Sequence, residues 1–172
     1  MLNIFTDTKY NNLLKLSGGN TLVLGGTTDT GTEPVNNQPA LHAPLGKITA
    51  SCYYNGEFYM MQTDGSKIFK YDKDGIIKFL KQDPANIVEV SLMTLSKDLL
   101  YYFDNQLHQI LTYSLADIVT PPVVVAGNKA QNPSNIHTEG EDVMEKAMFP
   151  ITAILIDDNV IYTASKLNEQ AK

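Results

Sequence analysis

Three histidines, His42, His108 and His137, are the only imidazoles in the chain. Imidazole nitrogen is a common zinc ligand, at about 2.0–2.1 Å from the metal. No two of them stand in a tight H-x-x-x-H spacing, so a zinc centre would need the fold to bring three distant loops together. Otherwise they are surface or turn histidines. Glu139, Glu141, Asp142 and Glu145 form an acidic cluster whose oxygens suit calcium. The EF-hand spacing with its fixed glycine is missing. A solvated acidic loop, or one that meets a basic partner, is the other reading. Asp64 and Asp104 lie in two shorter polar stretches, residues 62–66 and 104–108. With the three histidines and Glu139, Glu141 and Asp142, they complete the set of candidate binding residues.

Other catalytic patterns are missing. There is no G-x-S-x-G elbow and no H-E-x-x-H pair, and the glycine-rich run at residues 18–26 lacks the Lys-Ser/Thr of a phosphate loop. No catalytic or metal-ligating residue is therefore assigned, and no cofactor is expected; zinc or calcium is the alternative. The lone Cys52 cannot form an internal disulfide or a cysteine-based zinc site, and reads as a small buried apolar residue.

The net charge is −6 and every cation is Lys. An acidic chain without Arg is a poor match for nucleic acid, which is held by a basic surface and read by bidentate Arg. No run approaches the roughly 18 apolar residues of a membrane-spanning helix. The first ten residues have neither a basic nor an apolar region of a secretory leader. The compartment stays open, with a secreted or extracytoplasmic setting slightly favoured.

The elements that must position these residues repeat along the chain. Residues 48–81 read as apolar strand, Asn-Gly turn, strand with Tyr59, polar loop, strand with Ile68, short turn, strand. Residues 90–113 repeat the order, and residues 151–163 begin it again. Tyr59 and Tyr102 lie 43 residues apart, Ile68 and Ile110 lie 42 apart, and Gly26 and Gly127 lie 101 apart. The apolar runs are short, rich in Ile, Val, Tyr and Phe, and bounded by Gly, Asn, Asp and Pro, which is the strand signal. A period of about 40–50 residues with four strands per unit predicts an all-β fold, a β-propeller of four-stranded antiparallel blades. Tyr59, Tyr101, Tyr102 and Tyr162 recur near one blade position, which argues for packing between repeats.

The blades are expected at residues 44–81 and 88–127, with partial blades at 1–26 and 150–172. Since a propeller needs at least about four blades to close, the chain reads as a partial arc of a six-bladed ring. The missing blades would come from a longer parent chain or a second copy; a partner capping a natural arc is the third possibility. Exposed sheet edges on an open arc would favour association.

The chain resembles the NHL-repeat β-propellers. Residues 22–48 are similar to the first half of that repeat, with Leu41 and Pro44 in register; residues 56–77 are similar to the second, with Tyr59, Ile68, Asp72 and Gly75. Residues 123–165 resemble the first half again, through Gly127, Pro150 and Tyr162. The family's Arg before Ile is replaced by Lys67, Gln109 and Leu13, and the Asp that closes the Tyr strand is kept as Asp7 and Asp104 but is Gln62 and Ser165 elsewhere. Gluconolactonase-like and strictosidine-synthase-like propellers share much of the pattern. The resemblance implies an interaction platform, and some relatives are metal-dependent lyases.

In such a frame the loops from fourth to next first strand share a face with those from second to third strand. That face would carry the long polar loops 26–43 and 127–149, the candidate histidines, Asp64 and Asp104. Loops longer than about 12 residues are commonly functional. The expected function is a non-catalytic scaffold that recognises a protein partner through this face. The alternative is a metal-dependent lyase or lactone hydrolase using the central channel. Carbohydrate binding is weakened by the absence of Trp, although Tyr platforms could substitute.

Overall fold

A computed structural model describes residues 3–7, 9–26, 35–62, 67–82, 90–117, 120–128, 144–145, 148, 150–158 and 160–165. The described chain is built from antiparallel strands with one 3-10 turn. It divides into two compact units, Met1–Val88 and Glu89–Lys172.

In the first unit, β1 (Asn3–Asp7), β2 (Asn12–Ser17) and β3 (Asn20–Gly25) form a three-stranded sheet in chain order. A second sheet has the order β4-β8-β7-β6-β5, from β4 (Gln38–Pro39), β5 (Ile48–Tyr54), β6 (Glu57–Gln62), β7 (Lys67–Tyr71) and β8 (Ile76–Gln82). Strands β5 to β8 are a simple meander. The inner strand β6 is apolar on both faces, since Phe58, Tyr59, Met60 and Met61 are all buried. An unbroken apolar run is what a strand covered on both sides requires. Asn55 and Gly56 take φ of 49° and 88° in the β5–β6 hairpin, the left-handed pair that matches the twist of the flanking strands.

The core of this unit lies between its two sheets. Leu13 from β2 packs with Ile48, Phe58, Met60, Phe69 and Ile77 from the larger sheet, with Ile4 and Leu24 at the margin. Each such large side chain withdrawn from water contributes about 1.5–3 kcal/mol. Phe69 and Phe79 meet with ring centroids 6.4 Å apart.

The connection between β3 and β5 differs from the open polar loop expected over residues 26–43. Residues 38–39 add a fifth strand to the edge of β8, pairing Gln38 with Ile77 and Pro39 with Ile76. Pro39 is tolerated there because an edge strand leaves one side of its backbone unbonded. The 3-10 turn Ala40–His42 follows. Ala40, Ala43 and Leu45 are fully buried in the core. Gly25 makes room for them: a Cβ there would lie 3.0 Å from the Ala40 carbonyl oxygen.

In the second unit, β9 (Val90–Ser96), β10 (Leu99–Asp104), β11 (Gln109–Ser114) and β12 (Val123–Ala126) form a four-stranded meander in the order β12-β11-β10-β9. Strands β13 (Ile151–Asp157) and β14 (Val160–Ser165) form a two-stranded sheet beside it. Tyr101, Phe103, Ile110, Ala126 and Ile151 form the core, against which Ile154, Ile156 and Ile161 pack. Tyr102 stacks on Tyr113 with centroids 5.7 Å apart. Of the recurring tyrosines, Tyr59, Tyr101 and Tyr102 are buried, whereas Tyr162 is exposed. On β14 it pairs with Leu155, and both point away from the isoleucine face.

Candidate binding site

Asp104 ends β10, and its Oδ1 accepts hydrogen bonds from the N–H groups of Gln106 and Leu107, both at 2.9 Å. Asp7 does the same at the end of β1, accepting from the N–H groups of Lys9 at 2.9 Å and Tyr10 at 3.2 Å. An aspartate at this point satisfies two turn donors that no strand partner reaches. Asp104 is buried, so its carboxylate first of all shapes the β10–β11 turn.

Each of these turns ends on a residue in the left-handed region: Asn11 and His108, both with φ of 54°. Each is met by the glycine that follows the sheet's last strand. A Cβ on Gly26 would lie 2.4 Å from the Asn11 carbonyl oxygen, and one on Gly127 would lie 2.3 Å from that of His108. The His108 carbonyl also accepts from the N–H of Met148 at 3.1 Å. Gln109 donates through Nε2 to the Gly127 carbonyl at 3.1 Å. Gln109 and Lys67 are both buried polar residues at the first position of their strands. The Lys67 ammonium lies 5.7 Å from the centre of the Phe79 ring.

His108 thus brings its backbone to a structural junction, and its Nδ1 is buried without a hydrogen-bond partner. It shares the β10–β11 turn with Asp104. His42 ends the 3-10 turn Ala40–His42. Asp64, His137, Glu139, Glu141 and Asp142 lie outside the described residues, as does the His42 side chain. Among the described residues, no three His, Cys, Asp or Glu side chains come together as a metal ion would need.

A second polar junction closes the β7–β8 turn. Asp72 is buried, and its Oδ1 accepts from the N–H groups of Asp74 and Ile76, both at 3.0 Å. Its Oδ2 pairs with the Lys78 ammonium at 2.5 Å. Burial by itself pushes the carboxyl up, but Lys78 and the two turn N–H groups outweigh it and hold the carboxyl below its ordinary value. The same pairing raises Lys78. Burial, and then the Asp72 charge, raise the Tyr71 phenol.

No protein-family model matches the chain, and no curated protein matches it. The chain is similar to a crystal structure of a nidogen/laminin complex, at 14% identity and a TM-score of 0.49, over 72% of this chain and 43% of that one. It is also similar to the crystal structure of the computationally designed Ika8 protein, at 18% identity and a TM-score of 0.43, over 92% of this chain and 40% of that one. The chain thus spans less than half the length of either. No helix among the described residues is long and apolar enough to cross a membrane.

Proposed function

We propose that the chain supplies blades of an NHL-like β-propeller that serves as a non-catalytic scaffold for a protein partner. One observation carries the reading: the same polar device appears at the same place in two sheets. Asp7, Asn11 and Gly26 form it in one, and Asp104, His108 and Gly127 in the other. Recurrence at a repeat position marks frame-building rather than chemistry. Polar groups used in this way lock the strand connections and leave recognition to the polar segments that depart after each glycine.

The test is site-specific photo-crosslinking from Val35 and Asn128, which flank those segments. A partner crosslinked at these positions should be displaced by unlabelled chain, but not by chain with residues 27–34 and 129–143 replaced by Gly-Ser linkers. Equal displacement by both competitors would overturn the reading. The unpartnered His108 Nδ1 favours one alternative, the metal-dependent enzyme. Stoichiometric zinc or calcium that is lost on His108→Ala would put that reading in its place.

A further inference from the structure

A cleft of about 280 Å³ opens between the two sheets of the first unit. Ile4, Leu24 and Phe58 form its apolar wall, and Tyr53 and Tyr71 lie beside them. Lys15 and Lys73 also line it, together with Asp72. The volume sits at the low end for ligand sites, which run from about 300 Å³ upward. It suits a single ring or branched side chain rather than a large cofactor.

The charges around the cleft are unequal. Among the described residues, the one carboxylate that lines it, Asp72, is neutralised by Lys78 and by two turn N–H groups. Nearby Glu57 on β6 is neutralised by Lys70, at 2.7 Å, and accepts from the Tyr59 hydroxyl at 2.9 Å. Asp74, in the same turn as Lys73, is exposed and does not line the cleft. Among the described residues, neither Lys15 nor Lys73 has an ion-pair partner, and neither Tyr53 nor Tyr71 has a hydrogen-bond partner for its hydroxyl. The cleft therefore offers two unmatched ammonium groups and two unmatched phenols above an apolar floor, on a chain whose net charge is −6.

We infer that this cleft binds an acidic peptide segment that presents an apolar or aromatic side chain next to a carboxylate. The side chain would cover Ile4, Leu24 and Phe58, and the carboxylates would meet Lys15, Lys73 and the two phenols. Tyr is favoured at such contacts because it combines an apolar body with a polar tip. The three aromatic residues could instead form a cage for a methylated ammonium group. The two unmatched lysines oppose a cation, and Asp72 is already paired with Lys78. The inference rests on this cleft alone and not on the loop segments of the proposed scaffold function.

The test is fluorescence polarisation with the full 172-residue chain and a dye-labelled peptide, acetyl-Glu-Asp-Phe-Glu-Asp-amide. Saturable binding is expected that weakens with added salt. Replacing the peptide's Phe by Gly should weaken it about tenfold. Lys15→Glu and Lys73→Glu should each weaken it about tenfold, while Lys47→Glu, at an exposed lysine outside the cleft, should leave it unchanged. Thermal melting of each variant checks that the fold is kept. No saturable binding up to millimolar peptide, equal binding by the Lys15→Glu/Lys73→Glu double variant, or tighter binding of a trimethyl-lysine peptide would each overturn the inference.

Discussion

The carbonyl oxygen of His108 occupies the space that a Cβ on Gly127 would need, at 2.3 Å. Gly127 also has φ of 91°, a region that side chains rarely enter. The contact joins the β10–β11 turn to the end of β12, and the His108 carbonyl is held by Met148 as well. Two independent penalties therefore meet at one atom. Gly127→Ala is expected to cost more than about 2 kcal/mol in urea unfolding. Gly26→Ala, which would set a Cβ 2.4 Å from the Asn11 oxygen, should cost a similar amount. Gly56→Ala is the control: its φ is 88°, but nothing lies within 4 Å, so only the backbone strain of about 1 kcal/mol remains.

The Asp72 junction sets an acid sensitivity. Its carboxyl is held below its ordinary value in the folded chain, because Lys78 and the turn N–H groups outweigh the effect of burial. A depressed carboxyl stabilises the fold fully above its unfolded value of about 3.9, and that contribution is lost as pH falls through the folded value. Asp72→Asn removes the charge and keeps the shape. It should destabilise the chain by about 1–2 kcal/mol at neutral pH and flatten the loss of stability below about pH 4. Lys78→Ala should instead move that loss to higher pH. Urea unfolding between pH 2.5 and 7 separates the two variants.

The hairpin between β9 and β10 has the left-handed geometry without the residues that prefer it. Lys97 and Asp98 have φ of 50° and 60°, whereas the β5–β6 hairpin uses Asn55 and Gly56. Non-glycine residues pay for this conformation, and Asn-Gly is the favoured pair. The Lys97→Asn/Asp98→Gly double variant should stabilise the chain by about 1 kcal/mol. An unchanged or lower melting midpoint would show that the turn is relieved in some other way.

The central strands were legible because burial on both faces demands an unbroken apolar run, as at Phe58–Met61 and Leu100–Phe103. The Asn55–Gly56 turn was legible from its residues alone. Strand β4 was not: Gln38–Pro39 has no periodicity, and β8 dictates its pairing. Ala40 and Ala43 are buried by contact with distant strands, and small residues leave no pattern. The glycines after the apolar runs stood out, but their partners Asn11 and His108 lie 15 and 19 residues upstream. Asp104 is a binding candidate by its place in the loop from second to third strand, and only geometry shows its carboxylate serving the turn. The cleft collects Lys15, Tyr53, Tyr71 and Lys73 from separate elements, so no spacing could announce it.

Cys52, read from the sequence as buried, is half-buried in β5, and that burial raises its thiol to about 12. Only the thiolate attacks alkylating reagents. At pH 8 the folded chain should react with iodoacetamide more than about 100-fold more slowly than the urea-unfolded chain, whose thiol returns to about 8.5. Labelling at the unfolded rate in native buffer would show that β5 opens readily. The same rate, followed against denaturant, reports the opening of β5.

Strands β13 and β14 have unlike faces. Ile154, Ile156 and Ile161 pack on the core of the second unit. Leu155, Val160 and Tyr162 are 61%, 50% and 53% exposed. Leu155 pairs with Tyr162, and Asp157 with Val160, so the three apolar side chains share the outer face. A contiguous apolar face of this kind tends to be covered by association. Light scattering after gel filtration should show a mass that rises above 19.0 kDa with concentration. Leu155→Lys/Tyr162→Lys should bring it back towards the monomer without lowering the unfolding free energy by more than about 0.5 kcal/mol, since neither side chain is in the core. A concentration-independent monomer in the unmodified chain would mean that this face is tolerated in water.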